Sequence, residues 1–313
     1  MVADVAHPRA HLVDPSGGVY HVCSRCVRRA WLCGNDELTG YNFDHRRRWL
    51  ENRILELAEI FAIDLYGYAV MSNHYHVVLN LDPARAHDWS EEDIVDRWMT
   101  LCPQRITGEH ADNIKALRRM SLLKDKERLE VLRQRLSSLS WFMRFVNEPL
   151  ARRANKEDDC KGRFWEGRFK SQQLLDEDAI LAAMIYVDLN PVRAGISEDA
   201  SDASHTSLKK RLTTPTHRDH MTALNQPNVS LPFAYSLQEY IELADWTVEV
   251  QQNKRPSRSY NRGPPHNPDL WLHHYLPKPG YWQRANGSFQ SLRDYAKDIG
   301  QCWIKTRSRH LQQ

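Results

Sequence analysis

Nowhere in the 313 residues is there an uninterrupted apolar run approaching the roughly 20 residues of a membrane-spanning helix. Met1 to Pro15 also lacks the apolar core of a secretion signal. Cysteine is scarce, six residues at irregular spacings, which excludes a small disulfide scaffold and makes a reducing cytoplasm the expected setting. Cys23 and Cys26 resemble half a zinc site, but no second C-x-x-C exists and strand alternation would set the two on opposite faces. A strong charge of one sign is missing as well: 43 Lys+Arg against 40 Asp+Glu leave +3, so bulk charge selects no partner and local clusters must. There is no G-x-S-x-G, no G-x-x-x-x-G-K-[ST] and no G-x-G-x-x-G, which removes serine-hydrolase elbows, P-loops and dinucleotide fingerprints.

What remains is a globular composition, 41% hydrophobic and 27% charged, long enough for about two domains or for one domain with an insertion and a tail. Gly17-Gly18 opens a β-type run from Val19 to Val27. Phe43, Leu50, Ile54, Leu57 and Phe61 then fall at helical intervals, predicting a helix from about Asp44. Ile63 to Met71 and Asn73 to Leu81 are two more β-type runs joined at Ser72-Asn73, an antiparallel hairpin or a tightly bent strand pair. Residues 82–135 are charged and helical in pattern and form an insertion. Leu136 to Ala154 is an amphipathic helix, followed by a loop and the basic aromatic segment Gly162 to Lys170. Asp176 is a plausible N-cap for a helix with Ile180, Leu181, Met184 and Ile185 on its apolar stripe, ended at Asn190-Pro191. Beyond Ser197 the pattern weakens to a short helix near Leu237 to Asp245 and a Pro/Arg/Asn stretch from Asn253 to Pro268.

Three groups of residues carry chemical potential. His74 and His76 are two apart on a strand, so they share a face with Cα atoms about 6.7 Å apart and suit one metal ion, or are simply two hydrogen-bonded histidines on a half-exposed strand. Tyr186 and Asn190, four apart on a helix, offer a nucleophile and a neutral oxygen ligand, or a half-buried tyrosine and a helix-ending asparagine. In Gly162 to Lys170, Arg163, Arg168 and Lys170 alternate with Phe164, Trp165 and Phe169, either a surface for phosphates and unpaired bases or a solvated turn over an aromatic contact. Arg46-Arg47-Arg48 and Arg152-Arg153 are expected to be ordinary charged helix faces or to line a phosphate track.

Four segments in order resemble the REP-associated tyrosine transposases, of the single-tyrosine HUH transposase family. They are Tyr20-His21-Val22 with Ser24-Arg25, Met71 to His76, Trp165 to Ser171, and Tyr186 to Gly195. The resemblance covers residues 15–200 and implies an α+β, ferredoxin-like antiparallel sheet with packed helices and the histidine pair on a central strand. It further implies cleavage and rejoining of single-stranded or hairpin DNA through a 5′-phosphotyrosine, with Mg²⁺ or Mn²⁺. By position His74, His76 and Asn190 would be the metal ligands and Tyr186 the nucleophile. Arg25, Arg163, Trp165, Arg168, Lys170 and Arg193 would be DNA contacts. The resemblance leaves monomer and homodimer both open. The insertion at 82–135 is longer than compact members lead one to expect, and the accessory region 201–313 has no counterpart there. A hairpin-binding relative without cleavage is the alternative, disfavoured by the presence of Tyr186; a metal hydrolase of small substrates leaves both Tyr186 and the basic segment unexplained.

Overall fold

The chain enters its sheet through Gly17, whose φ is +105° and where a Cβ would fall 2.4 Å from the Leu81 carbonyl oxygen, so a side chain is excluded. β1 (Gly18–Arg25) leads to α1 (His45–Ile60), and β2 (Ile63–Val70) and β3 (His74–Leu81) form the expected hairpin about residues 71–73. The insertion folds as α2 (Pro83–Asp88), α3 (Glu91–Leu101), α4 (Ala111–Lys124) and α5 (Lys126–Leu136). Then come α6 (Leu139–Glu157), β4 (Lys170–Leu174), α7 (Glu177–Asp188) and α8 (Asn190–Arg193). α9 (Ser207–Thr213), α10 (Leu237–Gln251), β5 (Ala285–Asn286) and α11 (Phe289–Asp298) complete the elements. The computed structural model describes residues 16–27, 32–35, 40–104, 107–108, 110–214, 221–252, 271 and 282–302. The leader and the stretch from Asn253 to Pro268 lie outside them.

The sheet order is β2-β3-β1-β4-β5, antiparallel except for the short β5 beside β4. The unit β1-α1-β2-β3-α6-β4 is thus an α+β, ferredoxin-like arrangement with the β3–β1 pair at its centre. β2 is buried at all of its positions, as its nearly continuous apolar sequence requires of a strand covered on both faces. On one face α1 and α6 pack over Tyr20, Val22, Tyr75, Val77 and Leu79. The insertion joins this same core through Ile94, Trp98, Leu129, Leu132 and Leu136. On the other face α7 covers Ala69, Val78 and Leu174.

Three sequence expectations need correction. Arg46 is not on a charged helix face: it is fully buried, paired with Glu157 and Asp158, with its guanidinium 4.0 Å from the Phe43 ring centroid. The tyrosine helix ends just ahead of Asn190-Pro191 as expected, but Asn190 is not pushed out of the helical region. α7 ends at Asp188, and a second short turn carries the chain through the proline because an early helical position needs no N–H from it. The helix near Leu237 runs on to Gln251, started by a capping box between Ser236 and Glu239.

The region after residue 200 is built into the second core. Leu208, Met221, Phe233, Tyr240 and Leu243 pack with α7. Asn225 fastens it to β2: its Oδ1 accepts from Leu65 N at 2.8 Å, and its Nδ2 donates to the Ala58 and Ile63 carbonyls at 2.9 Å each. Asn225→Ala strands one buried donor and two buried acceptors and is expected to destabilise the fold by about 3 kcal/mol. A urea midpoint that falls with unchanged slope is the expected reading. A midpoint equal to wild type would show that the segment is not fastened there.

Candidate active site

β1 and β3 pair antiparallel with Cys23 opposite His76 and Arg25 opposite His74. Alternation therefore puts His21, Cys23, His74 and His76 on one face and Tyr20, Val22, Tyr75 and Val77 on the other. Tyr75 anchors the far face, fully buried, its hydroxyl donating to Asn147 Oδ1 at 2.7 Å. α7 lies against the histidine face. Asp176 caps it by accepting from Ala179 N at 3.0 Å, and it is apolar around nearly its whole circumference, as a helix buried on all sides must be. Of residues 181–191 only Tyr186 is not buried.

Residues far apart in the chain meet here. The Tyr186 ring lies edge-on to His76 at 5.6 Å and to His21 at 5.8 Å between centroids, and His74 is 4.9 Å from His76. Arg193, exposed on α8, holds its guanidinium 4.9 Å from the Tyr186 ring. Asn190 begins α8 one turn beyond the tyrosine and is 7% exposed.

The hydrogen bonds decide which nitrogens are free. His74 Nδ1 donates to Asn73 Oδ1 at 2.6 Å, since a carboxamide oxygen only accepts, which leaves the lone pair on Nε2. His76 Nδ1 shares a 2.9 Å hydrogen bond with His21 Nε2, and His76 Nε2 is buried with no partner. Burial holds all three rings neutral. It takes His21 down to about 3 and, with Arg25 adding repulsion, His74 to about 4; His76 is driven well below the ordinary histidine range by burial first, and then because a proton on it would be opposed by His21, His74, Arg25 and Arg193. Neutral imidazoles and a buried carboxamide suit a divalent cation. The Cys23 thiol beside them is pushed up to about 12, chiefly by burial, and stays protonated. Among the described residues no three His, Cys, Asp or Glu side chains form a metal-holding group.

The basic segment borders this site. Cys26 bridges to Trp165, Glu166 N donates to Arg25 O at 2.9 Å, and Lys170 pairs with Cys23, itself opposite His76. Arg25, Arg163, Arg168 and Lys170 are exposed, whereas Phe164 is core. Trp165 is half-buried, edge-on to Tyr75 and Phe164, its indole N–H donating to the Asn147 carbonyl at 3.0 Å. Its ring thus packs on the Tyr75 face of the sheet, against α6, and not among the histidines.

Sequence reasoning gave no role to His21, because the cross-strand register that sets it beside His76 is not written in either strand alone. Trp282, from the accessory region, also reaches the site: its ring is 5.0 Å from His21 and its Nε1 is buried without a partner.

No family model matches the chain, and no curated protein does. The chain is similar to one solved REP-associated tyrosine transposase, described as bound to a REP hairpin. The likeness covers 74% of this chain and 93% of that one at 11% identity and a TM-score of 0.39, too loose a superposition to carry residue correspondences.

Because the folded chain keeps these imidazoles neutral while the unfolded chain binds protons below about pH 6.5, unfolding takes up protons between about pH 6.5 and pH 4. Stability is therefore expected to fall as pH drops through that window. The urea midpoint measured at pH 7.5, 6 and 5 checks it: His21→Gln should show a shallower decline, and equal slopes would contradict the assignment.

Proposed function

We propose that this protein is a metal-dependent single-stranded DNA nuclease and strand-transfer enzyme of the REP-associated tyrosine transposase type. The observation that carries the reading is the approach of Tyr186, the one unburied side chain of its segment, to within 5.6 Å of the His76 ring, whose buried Nε2 has no partner. More than a hundred residues separate the two in sequence. The four ordered sequence blocks support the same reading independently.

In this reading the Tyr186 hydroxyl attacks the scissile phosphorus. The P–O3′ bond breaks, the 3′ oxygen leaves as a hydroxyl, and the 5′ phosphate stays on the tyrosine. That link keeps the phosphodiester's energy, so the 3′ hydroxyl of another strand reverses the step and joins the DNA without ATP. His74 and His76 through Nε2, and Asn190 through its amide oxygen, would hold Mg²⁺ or Mn²⁺. When bound, such an ion supplies charge that polarises the phosphate for attack by a weak oxygen nucleophile.

In this reading His21 orients rather than reacts: its Nε2 lies 2.9 Å from His76 Nδ1, and accepting the Nδ1 proton there would leave the His76 Nε2 lone pair for the ion. Arg193 beside the phenol, with Arg25, Arg163, Arg168 and Lys170 along the sheet end, neutralises phosphates. Tyr186 and the histidines come from one chain, so a single copy carries the set, and dimer formation is not required for it.

The protein is incubated with Mn²⁺ and a single-stranded oligonucleotide carrying an imperfect hairpin from the DNA that flanks its gene. A covalent protein–DNA adduct is expected on a denaturing gel, lost in Tyr186→Phe with hairpin affinity kept, and lost in His76→Ala. Binding without an adduct would make the protein a hairpin reader; an adduct surviving in Tyr186→Phe would displace the nucleophile. His21→Leu is expected to weaken Mn²⁺ binding about 10- to 100-fold by calorimetry. His21→Gln, whose carbonyl can accept the same proton, restores it; equal losses in both variants would reduce His21 to packing.

A further inference from the structure

Across the sheet from α7, the helical insertion and α6 enclose an open groove of about 820 Å³. Trp98, Trp141 and Phe145 form its floor, and Arg135, Arg144, Arg152, Arg153 and Lys156 stand around it with Glu148. Glu148 is shared by Arg144 and Arg152. Arg135, Arg153 and Lys156 have no carboxylate partner among the described residues. Two guanidiniums are held against one indole: Arg135 lies 4.4 Å and Arg144 5.0 Å from the Trp141 ring centroid, while Arg153 lies 3.3 Å from that of Trp49. Resting on a ring fixes the plane of a guanidinium and leaves its edge N–H donors for a ligand. Arg128 and Arg144 also repel Arg135. Five cations crowded about one carboxylate do not stabilise a fold by themselves; they suit an anion laid among them.

The groove is continuous with the active-site end of the sheet. A second cavity of about 680 Å³ shares Trp141, Arg144, Glu148 and Arg152 with it and extends to Arg168 and Phe169 of the basic segment. The next residue, Lys170, is opposite Cys23 and one strand from His76. Along α6 the cations from Arg144 to Lys156 span about 18 Å, room for several nucleotides.

We propose that these two grooves form a second DNA-binding surface, a track for the sugar–phosphate backbone of the single strand that leaves the active site. An aromatic floor favours a strand whose bases are unpaired over a duplex whose bases are already stacked. The track rests on the proposed function only for the identity of the strand in it. The insertion thereby takes part in binding, because Trp98 and Arg135 come from α3 and α5 and complete a wall that α6 alone lacks.

Fluorescence anisotropy of the full chain with a labelled oligodeoxythymidylate of about 30 nucleotides, over a range of KCl, tests the track. Each lost phosphate contact lowers the slope of log K against log salt by about 0.7, so Arg153→Gln/Lys156→Gln should lower it by about 1.4 and the triple variant with Arg135→Gln by about 2. Both track residues of the double variant are exposed, so it is expected to fold as wild type. Lys209→Gln/Lys210→Gln on α9, equal in charge and remote from the grooves, should leave the slope unchanged. Equal losses in that control, or no loss in the double variant, would overturn the track. The adduct reads the other proposal separately: slope loss without any Tyr186 adduct keeps the track and removes the enzyme, and an adduct with unchanged slopes does the reverse.

Discussion

Asp188 is a carboxylate with no exposure to solvent, placed two residues beyond the tyrosine and two before the asparagine. It accepts from Ser207 Oγ at 2.6 Å, Leu208 N at 2.9 Å and Tyr240 Oη at 2.7 Å. Burying such a group is costly unless every lone pair is met, so the end of α7 is held to α9 and α10 together or not at all. Burial raises its proton affinity and the three donors act against that rise. The placement of Tyr186 against His76 of β3 depends on this tie. So does the region after residue 200, which for that reason is part of the scaffold of the site. Ser207 serves both sides, since its Oγ also accepts from Tyr68 N at 3.1 Å on β2 and Gly67 beside it leaves room for the approach.

The same burial that secures the helix sets the chemistry. Three imidazoles within one aromatic cluster would repel one another if protonated, and desolvation prevents it. His74 is oriented through its Nδ1 by Asn73 and His76 through its Nδ1 by His21, so in both rings Nε2 stays outside these bonds. The exposed cations follow the opposite rule. Arg25, Arg168, Lys170 and Arg193 stay at the solvent edge, where a phosphate chain can reach them.

Much of this was legible in the residue pattern, and the exceptions have physical causes. β1, the β2–β3 hairpin, α1 and α7 show themselves through alternation, helical spacing and the Asp176 cap, and the pairing of His74 with His76 follows from strand geometry alone. β4 does not: Lys170-Ser171-Gln172-Gln173-Leu174 has no apolar alternation and is a strand because β1 supplies its partner. Arg46 sits within an Arg-Arg-Arg run that reads as a solvated face, yet Glu157 and Asp158, over a hundred residues away, let it be buried. His21 and Trp282 reach the site only through register and tertiary packing, neither of which a single chain pattern encodes. The proline at position 191 signals a stop that the structure turns into a second helical start.

The central claim is that neutral imidazoles from β3 and a carboxamide from the end of the tyrosine helix share one divalent ion beside the phenol. Electron spin-echo spectroscopy of the Mn²⁺-loaded protein tests it most directly. Couplings from two imidazole nitrogens are expected, one of them lost in His74→Ala and the other in His76→Ala. Bound Mn²⁺ that shows no imidazole coupling, or that keeps both couplings in either variant, would contradict the account.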